Sequence, residues 1–298
     1  MQSSRALPYI ALVIAVMAVS TSAILVKLTT APAGIIAFYR LLFASLLLLP
    51  YFLLKCLPEL KTFSKKEWIY SFASGLLLAT HFILWFESLN YTSVASSVVL
   101  VTLQPLFSFA GTYFFFKESI SFKAVMGVIV AIIGSVVISW GDLSVSVRAL
   151  FGDLLALAAC AMVTAFFLFG QHIRKTYSLT VYTFIVYSFS AVILFLYCLL
   201  LDYPFLEYPT SDWVYFLLLA IIPTLFGLSL FNWSLKWVST NIVSVSILLE
   251  PVGAIILAYI ILGETIILFQ IIGGSIIVLG ILMFVLDKKV NHPLKTES

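Results

Sequence analysis

The chain reads as an all-α integral membrane protein: ten transmembrane helices arranged as two inverted five-helix repeats. Three observations carry that expectation. Composition excludes a water-facing globule, since 63% of the 298 residues are hydrophobic and 10% charged, with a mean hydropathy of +1.17, whereas a soluble domain carries about a quarter charged residues. Residues 89–134 align without a gap onto 235–280 at a constant offset of 146. Positive charge then sorts to one side of the membrane only if the chain crosses ten times, and five crossings per copy turn the second copy over.

The elements follow in order. A bilayer crossing takes roughly 20 apolar residues, and ten such runs can be drawn: 7–28, 33–55, 68–89, 92–116, 122–140, 151–171, 181–201, 212–234, 239–262 and 266–286. The first exceeds a signal-peptide core and lacks a cleavage site, so it is expected to be retained. Pro32-Ala33-Gly34 separates the first two runs, Lys61 to Lys66 the second and third, and the polar link Gly141 to Ala149 marks the midpoint of the duplication. The repeats are expected at 1–142 and 143–289, with a polar, disordered tail at 290–298.

With the N-terminus in the cytoplasm, Arg5, Lys55, Lys61, Lys65, Lys66, Lys117, Lys123, Arg174, Lys175, Lys236, Lys288, Lys289 and Lys295 all lie inside, as does the C-terminus. Only Lys27 and Arg148 lie outside, and Arg40 falls within a span. The aligned copies share Pro105 with Pro251, Glu118 with Glu264, Gly127 with Gly273 and Gly134 with Gly280. Lys117 and Lys123 become Gly263 and Phe269 in the second copy, which kept the helical pattern and lost cations where it faces outward.

Chemistry-bearing residues concentrate near mid-depth. Pro105 and Pro251 each remove a backbone donor and free a carbonyl near Val101 or Ile247, which in lipid must find another partner. They read either as hinges beside a cavity or as packing kinks. Glu250 precedes Pro251, and its symmetry mate is the neutral Gln104. An ionisable group at that depth faces a polar interior; Glu250 reads as a site for a proton or a substrate amine, or as a hydrogen-bonded carboxyl that braces the kink.

His81, Trp85 and Ser88 share one face of the third helix and suit a moderately polar cavity wall, although a lone membrane histidine also serves as an interhelical bond. Thr164 and Ser246 complete the candidate cavity; Ser20 to Ser22, Gln171, Thr224 and Asn232 are further polar positions within spans. Hydroxyls in such helices also bond to their own backbone. Arg40 reads as a holder of an anionic substrate group or, as the stronger expectation, as a cation that snorkels outward or pairs with an acidic side chain. As the one cation within a span, it counts against phosphorylated substrates, which need several cationic donors. Glu118 and Glu264 are expected to cap the helices that follow them.

Other functions lack support. Net charge is only +3, with no basic face for nucleic acid. Cys56, Cys160 and Cys198 have no paired spacing, no metal or cofactor site is expected, and no ATP-binding loop is present. An enzyme acting on a lipid-linked substrate is the alternative, but it needs clustered acids, bases or metal ligands, and His81, His172 and His292 are far apart in sequence. A scaffold or sensor has no need of polar residues at mid-depth in symmetric helices.

Short motifs recur in a fixed order: Phe38-Tyr39-Arg40-Leu41-Leu42, Leu103-Gln104-Pro105-Leu106 with Phe116-Lys117-Glu118-Ser119, and Leu248-Leu249-Glu250-Pro251-Val252 with Leu262-Gly263-Glu264-Thr265. In these the chain resembles the drug/metabolite transporter superfamily, specifically its EamA-type ten-helix carriers. The resemblance implies a cavity shared by both repeats and alternating access. It spans carriers of amino acids, nucleobases, sugars and other metabolites, and so favours the bracing role for Glu250. Helix one lacks the acidic residue of the small proton-coupled multidrug relatives. The expectation is a non-enzymatic secondary carrier of a small neutral or zwitterionic metabolite, an amino acid above all, working as an exporter in the plasma membrane. Its partners would be that small molecule and the lipid bilayer, and it would act as a monomer or a homodimer.

Overall fold

The computed structural model describes residues 7–92, 94–117, 120–140, 147–262, 266 and 268–287, and among them are ten apolar helices, nine meeting the length of a membrane span and one, in 122–140, slightly shorter in its apolar part. Glu118, Glu264, most of the polar link between the repeats and the C-terminal tail lie outside the described residues. The helices are α1 (Leu7–Leu28), α2 (Ala33–Leu60), α3 (Lys65–Ser88), α4 (Ser96–Phe116), α5 (Phe122–Trp140), α6 (Val147–Arg174), α7 (Leu179–Leu200), α8 (Thr210–Ser234), α9 (Thr240–Ile261) and α10 (Leu268–Val285). No strand occurs among the described residues. α3 begins earlier than its apolar run because Ser64 and Glu67 form a capping box, with Ser64 N donating to the Glu67 carboxylate at 2.9 Å, and this draws the lysines into the first turn. The even number of crossings within 65–116 and 179–234 keeps Lys61, Lys65, Lys66, Lys117, Lys175 and Lys236 on one face, called here the lysine-rich face.

The outside of the bundle is apolar: Leu54, Phe115, Phe122 and Leu200 are among its most exposed residues. Lipid tails solvate such side chains as well as a protein core does, so helices associate through small residues and interhelical hydrogen bonds. α5 and α10 show this most plainly. A Cβ on Gly127 would lie 2.8 Å from the Gly280 carbonyl oxygen, and one on Gly134 would lie 2.6 Å from that of Gly273. The reverse contacts are as tight, 2.5 Å in each case. The duplication pairs Gly127 with Gly273 and Gly134 with Gly280, so each glycine touches the mate of the other. That reciprocity is the mark of a two-fold axis. The touching indices run in opposite directions, so the helices are antiparallel, the axis lies in the membrane plane and the repeats are inverted.

Four of the other helices are irregular at mid-depth. α1 is interrupted at Ser20-Thr21, α4 at Thr102-Leu103 and α9 at Leu248-Leu249, and α8 widens into a π-helical stretch over Ala220–Leu228. α4 and α9 do more than kink. Each stops and restarts at Gln104 and Glu250, with Pro105 and Pro251 as the second residue of the new helix, where a missing N–H costs no helical bond. Hydroxyls and tight turns satisfy the gaps: Thr102 Oγ1 donates to Val99 O at 2.9 Å, and Leu249 N to Ser246 O at 3.1 Å.

At the lysine-rich face, Tyr177 Oη donates to Thr62 O at 3.1 Å and Ser178 N to the Glu59 carboxylate. At the opposite face, Thr30 donates through its N–H and hydroxyl to Asp212 at 3.0 and 2.9 Å, and Tyr39 Oη to Phe205 O at 2.6 Å. The α2–α3 and α7–α8 loops, which correspond in the duplication, therefore strap one repeat to the other.

The glycine crossing sets a test. Gly134→Leu drives a side chain into the α10 backbone and is expected to destabilise the folded protein by about 2–3 kcal/mol, read as a lowered unfolding midpoint in detergent. Gly274→Ala, whose new Cβ would meet Val252 at an ordinary 3.5 Å, should leave the midpoint near wild type.

Candidate functional site

The interruptions surround a small cavity of about 50 Å³, room for a few waters. α1, α2, α3, α4, α6, α8 and α9 line it; α5 and α10 stand behind as a brace. Phe82, Val101, Val163, Phe167, Phe231 and Ile247 form an apolar wall, and Ser22, Arg40, His81, Trp85, Gln104 and Glu250 supply the polar groups.

Arg40 departs from the sequence expectation. It is 2% exposed and does not snorkel. The reason begins one helix away, where Pro223 in α8 deprives the Leu219 carbonyl of its helical donor. Thr224 Oγ1 repairs the loss, donating to Leu219 O at 2.7 Å, and its oxygen then accepts from Arg40 Nε at 2.7 Å. Ser22 Oγ accepts from the guanidinium Nη1 at 2.7 Å, and the charge lies 4.3 Å from the centre of the Phe82 ring. Two hydroxyls and a cation–π contact replace water around it. A π-helical bulge with a proline thus fixes a buried cation at the cavity wall.

His81 Nδ1 lies 2.9 Å from Ala159 O. A carbonyl only accepts, so Nδ1 carries the proton, and in the neutral ring Nε2 is an acceptor. The ring stacks on Trp85 at 5.8 Å and 22°. Trp85 Nε1 and Gln104 Oε1 are buried at the cavity wall without a hydrogen-bond partner. A buried donor and a buried acceptor left unmatched are uncommon, and here both belong to the wall of one cavity.

Glu250 opens the second half of α9, where the helix dipole favours negative charge. Its backbone carbonyl accepts from Ser20 Oγ at 3.2 Å, and Ser20 also donates to Val16 O at 2.8 Å. Gly253 allows this approach, since a Cβ there would come within 2.2 Å of Ser20 Oγ. The interruption of α1 is therefore seated on that of α9.

Of the residues expected from sequence to line the site, the structure brings together His81, Trp85, Gln104 and Glu250, with Pro105 and Pro251 directly behind the last two. Ser88 instead contacts Ser97 and Trp85 O, both at 2.6 Å, which fastens α3 to α4. Thr164 donates to Cys160 O and Ser246 to Ile242 O, both at 2.8 Å, within their own helices. Arg40, Ser22 and the aromatic wall complete the cavity. The polar triplet Ser20 to Ser22 signalled Ser22, but nothing separated Phe82, Phe167 or Phe231 from the many phenylalanines that face lipid.

The EamA-like transporter family model matches the chain twice, over residues 6–140 and 150–286. The chain belongs to the EamA-like transporter family. It is 26% identical over 260 residues to the uncharacterized transporter YxxF of Bacillus subtilis strain 168, covering 85% of this chain and 81% of that one. With the uncharacterized transporter YetK of the same organism it shares 28% identity over 295 residues, 94% of this chain and 87% of that one. A crystal structure 18% identical in sequence superposes with a TM-score of 0.77 over 94% of this chain and 96% of its own, which shows the shared fold. This EamA-like transporter is thus a multi-pass membrane protein, and its cavity lies where the two repeats meet.

Thr224 carries two duties on one hydroxyl, so a substitution that removes the hydroxyl ends both. Thr224→Val leaves the Leu219 carbonyl and Arg40 Nε without their partner and is expected to cost about 1–3 kcal/mol of stability. Thr224→Ser keeps the hydroxyl and should unfold within a few tenths of a kcal/mol of wild type, both read from denaturation in detergent micelles.

Proposed function

We propose that this EamA-like transporter is a secondary carrier of a small zwitterionic metabolite, an amino acid, moved by alternating access. The observation that carries the reading is one small cavity walled by both a fixed cation and a carboxyl group, Arg40 and Glu250, beside an unmatched donor and an unmatched acceptor, Trp85 and Gln104. The substrate carboxylate is received by Arg40 and the indole N–H. The ammonium is received by Glu250 and the Gln104 carbonyl, which are symmetry mates, so it sits close to the pseudo-two-fold axis. The apolar wall takes the side chain. One guanidinium held by hydroxyls does not suit a phosphate ester, which needs several cationic donors.

The cavity is too small for such a molecule as it stands, so loading requires the half-helices of α4 and α9 to part at their interruptions, first on one side and then on the other. Pro105 and Pro251, each just after an interruption, act as the hinges. Lysine distribution supports a plasma-membrane carrier with both termini in the cytoplasm, and export is the proposed net direction. A single chain holds the whole cavity, so a monomer suffices, although a homodimer is compatible with it.

Proteoliposomes test the reading. Labelled amino acids should be taken up and should compete with one another, whereas their amides and decarboxylated amines should not. Arg40→Gln and Glu250→Gln should each weaken apparent affinity about 10- to 100-fold, the loss of a hydrogen bond to charge. Uptake is then compared with and without a pH gradient: a gradient-driven rate abolished in Glu250→Gln gives that carboxyl a proton as well as an amine. Saturable uptake of sugars or nucleobases that amino acids do not inhibit would remove the zwitterion reading.

A further inference from the structure

We propose that the hydrogen bond between Thr112 and Asn241 is a gate at the lysine-rich face without a counterpart at the opposite face, and that it biases the empty carrier toward closure on the lysine-rich side. The proposal rests on alternating access but not on the identity of the substrate.

The second half of α4, Gln104–Phe116, packs along the first half of α9, Thr240–Ile247. Both run between the cavity and the lysine-rich face. Asn241 Nδ2 donates to Thr112 Oγ1 at 2.7 Å, and both residues are buried. Next to them, Thr240 N donates to Gln171 Oε1 at 2.6 Å and Thr240 Oγ1 to Phe167 O at 3.3 Å. Phe167 is itself part of the cavity wall, so this belt of bonds joins α4, α6 and α9 across the way from the cavity to that face.

The pseudo-two-fold axis maps each position at one face onto a position at the other. The alignment is free of gaps across all four positions, and its offset of 146 carries Thr112 to Ala258 and Asn241 to Ala95. Alanine has no polar side-chain atom, so residues 95 and 258 cannot make this bond with each other. Interhelical hydrogen bonds of this kind in membranes shift an equilibrium about 3-fold on average and up to about 15-fold. That is enough to set a resting preference and small enough for turnover to overcome.

Thiol labelling tests the gate without any substrate. Gln104, Ser108 and Thr112 share one face of α4, and Ser108 is fully buried between the cavity and the gate. With Cys56, Cys160 and Cys198 replaced by alanine, Ser108→Cys is labelled by a membrane-impermeant maleimide applied from the lysine-rich side. Asn241→Ala and Thr112→Ala should each raise the labelling rate about 3-fold or more, and the two together should raise it no further than either alone. Ala95→Asn with Ala258→Thr, which writes the pair into the opposite face, should also raise it by favouring closure there. That gain comes from adding a bond, and an unfolding midpoint in detergent that stays near wild type distinguishes it from loosened packing.

Unchanged labelling in Asn241→Ala overturns the gate, whatever happens to transport. An increase in Asn241→Ala with none in the Ala95→Asn, Ala258→Thr protein overturns the asymmetry. Because no amino acid is present, these results are independent of the zwitterion reading.

Discussion

Inside a bilayer, no backbone N–H or carbonyl can be left to water, and this transporter nevertheless breaks its helices at mid-depth. The rest of the structure depends on how those breaks are healed. α1, α4 and α9 are interrupted and α8 widens into a π-helical stretch at the level of one cavity, so the irregular backbone is gathered around that cavity. Hydroxyls close the gaps: Thr224 on the Leu219 carbonyl, Ser20 on the Val16 and Glu250 carbonyls, Thr102 on that of Val99. Thr224 then serves a second time by accepting from Arg40. The residue that makes a proline tolerable is the residue that makes a buried cation tolerable, so scaffold and site cannot be altered separately at that point.

Symmetry and its failures divide the labour. The features retained in both repeats are mechanical: four glycines that let α5 and α10 touch backbone to backbone, and two prolines that restart α4 and α9. The features that differ are chemical. Glu250 stands opposite Gln104, and Thr112 with Asn241 stand opposite two alanines. A perfectly symmetric carrier would have equal halves and no preferred side. On the proposals made above, a few side chains that depart from that symmetry would orient a substrate and favour one closed face.

The parts legible in the sequence were those with a periodic or duplicated signal. Ten apolar runs, the gap-free offset and the paired glycines and prolines each follow from a repeated pattern, and the structure places them as the pattern requires. The interruption of α1 at Ser20-Thr21 carries no proline or glycine, because it arises from seating against α9, a contact between distant segments. Arg40 was misplaced for a similar reason. A long cation near a helix end ordinarily reaches the interface, and only the distant hydroxyls of Ser22 and Thr224 hold this one inside. Thr164 and Ser246 show the converse limit: a hydroxyl in a membrane helix always has its own backbone within reach, so helical spacing alone does not tell a wall residue from a self-bonded one.

The cavity also explains how a pocket with so few polar groups can discriminate. Arg40 and Glu250 stand where water is scarce, and a charge left uncompensated in such a place is costly. The proposed substrate, with both a carboxylate and an ammonium, would supply both partners at once and match the indole N–H and the Gln104 carbonyl in the same event. An amine or an acid alone would satisfy one side and desolvate the other for nothing. Rejection then comes from the unmet group in the wall rather than from shape, and polar sites built this way discriminate strongly against analogues lacking one contact. The apolar wall contributes by leaving few polar partners for a water that would otherwise stand in for the missing group.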